Sequence, residues 1–120
     1  MGLQGKYHTG LIPGYELDIT ANDDSKGTFS GTFIVRMGIK EYKINVTGHY
    51  HFRNSNEDPT LLYFYGAQDN GKSEPGFYVG YAGVTWRGQD YKMINGHGGI
   101  AIVDPNGNFS SLPFSSFQKF

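Results

Sequence analysis

Short segments of alternating side chains are the dominant feature of this sequence. Residues 27–35 read GTFSGTFIV, with Phe29, Gly31, Phe33 and Val35 on one side and small or polar residues interleaved. A period of two is typical of a β-strand that has one face in a core and the other in solvent. The pattern recurs between clusters of Asn, Asp, Gly, Pro and Ser, which favour tight turns. It therefore predicts strands that are joined mainly by short turns.

Eight strands are predicted from this pattern. They run over Lys6–Thr9, Tyr15–Thr20, Thr28–Arg36, Glu41–Phe52, Thr60–Ala67, Phe77–Trp86, Tyr91–Val103 and Phe109–Phe120. Consecutive antiparallel strands form a meander, and eight of them close into a barrel that has no free edge. The predicted fold class is all-β, an eight-stranded antiparallel up-and-down β-barrel, and its 120 residues form one domain, 1–120.

Glycines interrupt several predicted strands where a packed side chain is expected. They are Gly31, Gly48, Gly66, Gly80 and Gly98. A glycine within a strand relieves crowding at a bend or lets another group approach the backbone. Strong curvature and close approach of a ligand are both open interpretations, and both favour a barrel.

Charge and cysteine content exclude several classes of protein. The chain has 10 Lys and Arg against 11 Asp and Glu and no cysteine. A near-neutral balance argues against nucleic acid and membrane surfaces as partners, since both require a concentrated excess of basic residues. Disulfides and thiolate chemistry are excluded. The first residues lack the apolar run of a signal peptide or membrane helix, so we expect neither in this chain.

Catalytic constellations are not recognisable in the sequence. The carboxylate pairs Asp23–Asp24 and Glu57–Asp58 fall in predicted loops, where adjacent carboxylates are normally both solvated. There is no Ser-His-Asp order and no phosphate-binding loop before a helix. We therefore expect no enzyme, no catalytic residue and no cofactor.

Seven short stretches, in the same order along the chain, resemble strands of the avidin and streptavidin family. They are GKY (5–7), GYELDI (14–19), GTFSGTF (27–33), VTGHY (46–50), PTL (59–61), VGY (79–81) and SFQKF (116–120). The resemblance covers nearly the whole chain, although each stretch alone is only a few residues. It implies an eight-stranded barrel that binds biotin non-catalytically in its open end, commonly as a dimer or tetramer, and a secreted protein.

The positions of the family's ligand contacts carry different side chains here. In the family, short polar groups hold the ureido head of biotin and tryptophans enclose its rings. The resemblance places the ligand-binding positions at Thr9, Tyr15, Phe33, Tyr78, His97 and Ser115. Each buried polar group that loses its partner costs about 1–3 kcal/mol. The expected function is therefore binding of biotin or a related small molecule, with weakened affinity for biotin.

Two alternatives use the outside of the barrel. A carbohydrate-binding, lectin-like protein would stack sugars on aromatic side chains such as Trp86 and Tyr81. A docking protein would bind a macromolecule on an apolar exterior, and a filled lumen would favour that function. Lipocalin-like and other small barrels are alternative folds.

Histidines offer the remaining candidate chemistry. His49 and His51 lie on one face of a predicted strand, and His8 could supply a third imidazole to a metal ion. No Asp, Glu or Cys cluster accompanies them, so we expect an exposed barrel face and no metal site. His97, flanked by glycines, is predicted either to contact a ligand or to pack in a core or an interface.

The chain has more apolar side chains than the interior of one barrel can bury. The segment LLYFY (61–65) is apolar on both faces, and the final segment Phe109–Phe120 contains four phenylalanines. Exposed aromatic side chains favour association. A homo-dimer or homo-tetramer is therefore predicted, with the C-terminal segment held in the barrel seam or between subunits.

Overall fold

The computed structural model describes residues 2–10, 14–52 and 59–120. Its strands are β1 Gly5–Thr9, β2 Glu16–Asp23, β3 Thr28–Met37, β4 Lys40–Phe52, β5 Pro59–Gln68, β6 Gly76–Trp86, β7 Met93–Val103, β8 Phe109–Phe114 and β9 Phe117–Lys119. A short 3₁₀-helix, Arg87–Gln89, lies between β6 and β7. The breaker predicted at Pro13, and most of the loop predicted over Arg53–Pro59 with its carboxylate pair Glu57–Asp58, lie outside the described residues.

The strands form a closed barrel. Each strand from β1 to β7 pairs antiparallel with the next along the chain. β8 pairs antiparallel with β7. β9 pairs with both β7 and β1, which closes the ring. β8 and β9 together occupy the eighth position. The predicted all-β, eight-stranded antiparallel barrel is confirmed.

Most strand boundaries lie within one residue of those predicted, and three differ by more. β2 extends to Asp23 instead of ending at Thr20, because residues 21–23 pair with β3 beyond an irregularity at Ile19–Ala21. The eighth strand is not continuous, because residues 115–116 separate β8 from β9. β7 begins at Met93 because Asp90 and Tyr91 have left-handed backbone conformations, with φ of 59° and 55°, which no strand continues. Tyr91 therefore belongs to the turn and is buried, whereas Met93 on β7 is exposed.

Aromatic rings fill the inside of the barrel. The buried inward-facing aromatic residues include Phe29, Phe33, Phe64, Tyr81, Phe114 and Phe117. Their ring centroids lie 5.1–6.4 Å apart in neighbouring pairs, within the range of favourable aromatic contacts. Since these rings meet across the lumen, the interior is a packed core.

The glycines within strands differ in what surrounds them. A Cβ at Gly48 would lie 2.1 Å from Cζ of Phe29, so this position must stay empty for the phenyl ring to enter the core. A Cβ at Gly31 would lie 2.2 Å from the carbonyl oxygen of Asp18. Gly80 is different, because a Cβ there would have no atom within 4 Å. The fold therefore explains the first two glycines, while Gly80 leaves open space on the outer surface.

One ion-pair cluster joins the β3–β4 turn to the β5–β6 loop. Lys40 Nζ donates to both carboxylate oxygens of Glu74 at 2.9 Å, and the Tyr42 hydroxyl donates at 2.7 Å. These hydrogen bonds, first that from Lys40, lower the pKa of Glu74. Ionised Glu74 therefore favours the folded barrel.

The carboxylate pair at the β2–β3 turn has a structural role. Asp23 accepts hydrogen bonds from the backbone N–H and the hydroxyl of Ser25, and the hydroxyl bond is the main cause of its lowered pKa. Asp24 accepts a hydrogen bond from the Tyr50 hydroxyl. Burial, with this bond, raises the pKa of Tyr50 to about 12. Asp23 thus fixes the turn itself, and Asp24 fixes the turn against β4.

Candidate functional site

A shallow depression lies at the end of the barrel where β1 ends and β8 gives way to β9. Its volume is about 560 Å³, and we call it the mouth depression. Its lining residues are Thr9, Gly10, Tyr15, Leu112, Pro113, Phe114, Ser115 and Ser116. Three of the six predicted ligand-binding residues, Thr9, Tyr15 and Ser115, therefore meet here from separate parts of the chain.

Hydrogen bonds hold the β1 side of the mouth depression in place. The backbone N–H of Tyr15 donates to Thr9 Oγ1 at 2.8 Å, and the backbone N–H of Thr9 donates to the Tyr15 carbonyl at 3.0 Å. The two bonds fix the ends of the β1–β2 connection against each other. The Thr9 hydroxyl keeps its own proton available to donate.

The other side of the mouth depression is anchored to the core. The Tyr81 hydroxyl, buried inside the barrel, donates to the backbone carbonyl of Ser115 at 2.5 Å. This bond satisfies a buried polar atom and fixes the break between β8 and β9. The side chain of Ser115 is left exposed at the rim.

Aromatic rings form the base of the mouth depression. The Tyr15 ring lies 5.4 Å from the rings of both Phe33 and Phe114. Burial raises the pKa of Tyr15, so its phenol is neutral at neutral pH and can act as a donor or an acceptor. The arrangement combines rim hydroxyls with an aromatic floor, which suits a small ligand that has an apolar ring and polar substituents.

Phe33 does not line an open cup, contrary to the expected pocket. Its side chain is 0% exposed, and the rings of Tyr15, Phe64 and Phe114 surround it. The phenyl ring occupies the centre of the lumen as part of the core. A ligand at this end can therefore reach only the rim and the outermost rings.

Tyr78 and His97 lie outside the barrel, so the expectation that they line the lumen is wrong. Tyr78 is 65% exposed and stands between the buried Phe77 and Val79. His97 is also exposed, because the inward position beside it belongs to Gly98. The strand register differs by one residue from the assignment that the resemblance implied, and a shift of one residue moves a side chain to the opposite face.

A larger groove crosses the outer surface of β4 to β7 and was not predicted as a site. Its volume is about 890 Å³, and its lining includes His49, His51, Tyr63, Gly80, Ala82 and His97. The imidazole of His49 stacks on the Tyr63 ring, with centroids 5.0 Å apart and planes 16° apart. The exposed barrel face predicted for His49 and His51 matches their position. The apolar character of LLYFY (61–65) was the sequence signal for this surface.

The two aromatic residues predicted to stack on sugars, Tyr81 and Trp86, differ in their exposure. Tyr81 is 4% exposed and faces the core, so it cannot offer a ring to a ligand outside. Trp86 is half-buried at the end of β6, in register with Pro59 on β5.

Over residues 2–10, 14–52 and 59–120, no group of three or more His, Cys, Asp or Glu side chains is arranged to hold a metal ion.

In the part of the chain that the structure covers, no helix has the length and apolarity to cross a membrane. No family model matches the sequence, and no curated protein matches it either.

Proposed function

We propose that this protein is a non-catalytic binding barrel that takes a small ligand at the mouth depression. The observation that supports it is the convergence of Thr9, Tyr15 and Ser115, from three separate segments, on one concave surface with an aromatic floor. A few convergent polar groups above an apolar base are typical of small-molecule sites. The rim hydroxyls orient the ligand, and the rings contact its apolar part.

The packed lumen limits how tightly such a ligand is held. Because Phe33 is fully buried under the floor, the ligand lies across the mouth and keeps much of its surface in water. Biotin is the first ligand to test, since the resemblance to the avidin family implies it. With shallow burial and few polar partners, we expect a Kd no tighter than about 1 µM, or about −8 kcal/mol.

Isothermal titration with biotin tests this function, using two tryptophan variants. Ser115→Trp fills the mouth depression, whereas Ser30→Trp adds the same side chain at an exposed position on β3. The proposal expects binding to the wild type and to Ser30→Trp, and its loss in Ser115→Trp. Binding that survives Ser115→Trp contradicts the site. If biotin gives no heat, ligand-detected NMR with small cyclic ureas and aromatic carboxylates tests the depression with other probes.

A second candidate function uses the exterior of the barrel to dock another molecule. The filled lumen favours it, because an interior occupied by aromatic rings leaves the outer surface as the larger contact area. An apolar, aromatic groove of about 890 Å³ on β4 to β7 supports this function. If this function is correct, the docked molecule binds outside the mouth depression, and Ser115→Trp does not change its affinity.

A further inference from the structure

Charge is distributed unevenly around the outside of the barrel. β5, β6 and β7, which are neighbours in the ring, contain no Asp, Glu, Lys or Arg in Pro59–Gln68, Gly76–Trp86 and Met93–Val103. By contrast, β2 and β4 carry charged residues, among them Glu16 and Lys43. The solvent-facing side of a sheet is normally polar and carries charges. A ligand that binds on β5 to β7 therefore meets only neutral strands.

A slot between two rings runs along β6 within the outer groove. Ala82 on β6 lies between Tyr63 on β5 and His97 on β7, which are its two partners in the register. All three residues are exposed and line the groove. Alternate residues of a strand share a face, so Gly80 continues the floor beside Ala82. We call the space bounded by Tyr63, His97, Ala82 and Gly80 the ring slot, because rings form its walls and only a methyl group and a glycine form its floor.

His49 holds one wall of the ring slot in place. Its imidazole stacks on the Tyr63 ring, with centroids 5.0 Å apart and planes 16° apart. β4 and β6 lie on opposite sides of β5, so His49 covers the face of Tyr63 that is turned toward β4. The other face is turned toward Ala82, and Tyr63 is 46% exposed. A side chain that is already held by a neighbour loses little freedom when a ligand contacts it, so the Tyr63 ring is a preorganised stacking surface.

The dimensions of the ring slot suit one ring in width and a short chain of rings in length. Neighbouring strands are about 4.8 Å apart, so the strands that carry Tyr63 and His97 are about 10 Å apart. A ring that contacts both walls needs about 4 Å on each side. Along β6, larger outward side chains return at Tyr78 and Val84, whose Cα atoms are roughly 20 Å apart in an extended strand. Gly80 and Ala82 between them leave this length open.

We propose that the ring slot binds a neutral saccharide whose pyranose rings carry equatorial hydroxyl groups. Such a ring has two apolar C–H faces, which stack on aromatic rings, and a polar edge that forms hydrogen bonds. Tyr63 and His97 have the matching form, since each is a flat ring with a polar group at its edge. The proposal rests on the second candidate function, and it names the class of molecule that docks on the exterior.

Other ligands suit the ring slot less well. A ligand that is recognised through a carboxylate or a phosphate requires Arg or Lys, and the three strands contain neither. A purely apolar chain would remove water from the Tyr63 hydroxyl and the His97 imidazole without replacing their hydrogen bonds. The slot also differs from the lectin surface predicted from the sequence, because Tyr81 faces the core and Trp86 lies at the end of β6.

The first test follows the imidazole Hε1 signals of the wild type by NMR. The chain has four histidines, and His97→Gln identifies the signal of the one in the slot wall. Cellotriose, a neutral chain of β-linked glucose rings, should shift the His97 signal with a Kd of about 0.1–1 mM. The His8 signal should not move, because His8 lies on β1 and stacks on Phe120. Sorbitol, an open-chain polyol without a ring face, should shift neither signal.

The second test fills the ring slot with a side chain. Ala82→Phe places a ring on the floor between the walls, whereas Ala67→Phe adds the same ring at an exposed position on β5, outside the lining of the groove. Ala82→Phe should raise the Kd for cellotriose at least about tenfold, and Ala67→Phe should change it less than about twofold. Ser115→Trp, in the mouth depression, should leave it unchanged. Circular dichroism and thermal unfolding establish that each variant is folded.

Four results would overturn the proposal. They are a His97 signal that roughly 20 mM cellotriose does not move, a shift that sorbitol reproduces, binding that survives Ala82→Phe, and binding that is lost in Ser115→Trp. Indole separates this proposal from the function on which it rests. If indole shifts the His97 signal and cellotriose does not, the saccharide is wrong and docking on the exterior stands. If neither shifts it, the groove no longer supports docking either.

Discussion

Replacing Phe33 with alanine tests whether the lumen is a core or a cup. The Phe33 side chain is 0% exposed and touches the rings of Tyr15, Phe64 and Phe114, with centroids 5.3–6.1 Å away. Removing the ring forfeits about 2–3 kcal/mol of transfer free energy. A residual cavity of about 70 Å³ costs about 1.7 kcal/mol more. We therefore expect the free energy of unfolding to fall by about 4 kcal/mol.

Urea unfolding measures this loss, with Phe120→Ala as the matched control. Phe120 is also a phenylalanine but is 72% exposed, so its truncation should cost less than about 1 kcal/mol. Both variants and the wild type are compared at one protein concentration, because association stabilises the folded state. A loss in Phe33→Ala of less than about 1 kcal/mol, at an unchanged m value, would refute the argument that this ring fills the core.

Three further predictions concern packing and pH. Gly48→Ala should lower the free energy of unfolding, measured in urea, by about 1–3 kcal/mol, because the added Cβ collides with the Phe29 ring. Gly80→Ala, the control, should change it by less than about 0.5 kcal/mol. Equal losses in the two variants would contradict this prediction. The hydrogen bond from the Lys40 ammonium group lowers the pKa of the Glu74 carboxylate. The ionised carboxylate therefore stabilises the fold above pH 4.5, and this stabilisation is lost as the pH falls below that value. Urea midpoints of the wild type should therefore fall more steeply on acidification than those of Glu74→Gln, and parallel curves would argue against it. The Tyr50 phenol has a folded pKa of about 12 against 10.0 unfolded, so its stabilising effect is present below pH 10.0 and is lost as the pH rises toward 12. In the folded protein, Tyr50→Phe should therefore remove phenolate absorbance near pH 12 and leave that near pH 10.0 unchanged; a loss near pH 10.0 would contradict this.

The fold could be predicted from the sequence because its strands carry their own signal. In β2 and β4, apolar and polar residues alternate cleanly, and Asn, Asp and Gly mark the β2–β3 turn. Closure also follows from general physics, since an open meander of eight strands would expose two edges. The boundaries between β8 and β9 and at the start of β7 did not follow. They depend on distant contacts, such as the hydrogen bond from Tyr81 to the carbonyl of Ser115.

The site was harder to predict because the register of β6 and β7 is ambiguous in the sequence. β6 has aromatic or apolar residues at both Tyr78 and Val79, and β7 has glycines on both sides of His97. Neither pattern shows which face is inward. The resemblance placed Thr9, Tyr15 and Ser115 in one site, and they do meet at one end of the barrel because each lies near the end of a strand. The segment LLYFY (61–65) indicates an apolar surface, but the groove across it depends on the pairing of four strands, which the sequence does not show.

The joint between β1 and β9 has a consequence for how the chain folds. Most other pairings in the ring join strands that are neighbours in sequence, whereas His8 pairs with Gln118 across almost the entire chain. Bringing together segments that far apart costs about 4 kcal/mol of loop entropy. That cost falls on a single late event, so folding should be slow and should pass through an open sheet with two unsatisfied edges. Such an intermediate can close with the terminal strand of a neighbouring molecule, which makes exchange of β9 between chains the characteristic route to misassembly at high concentration.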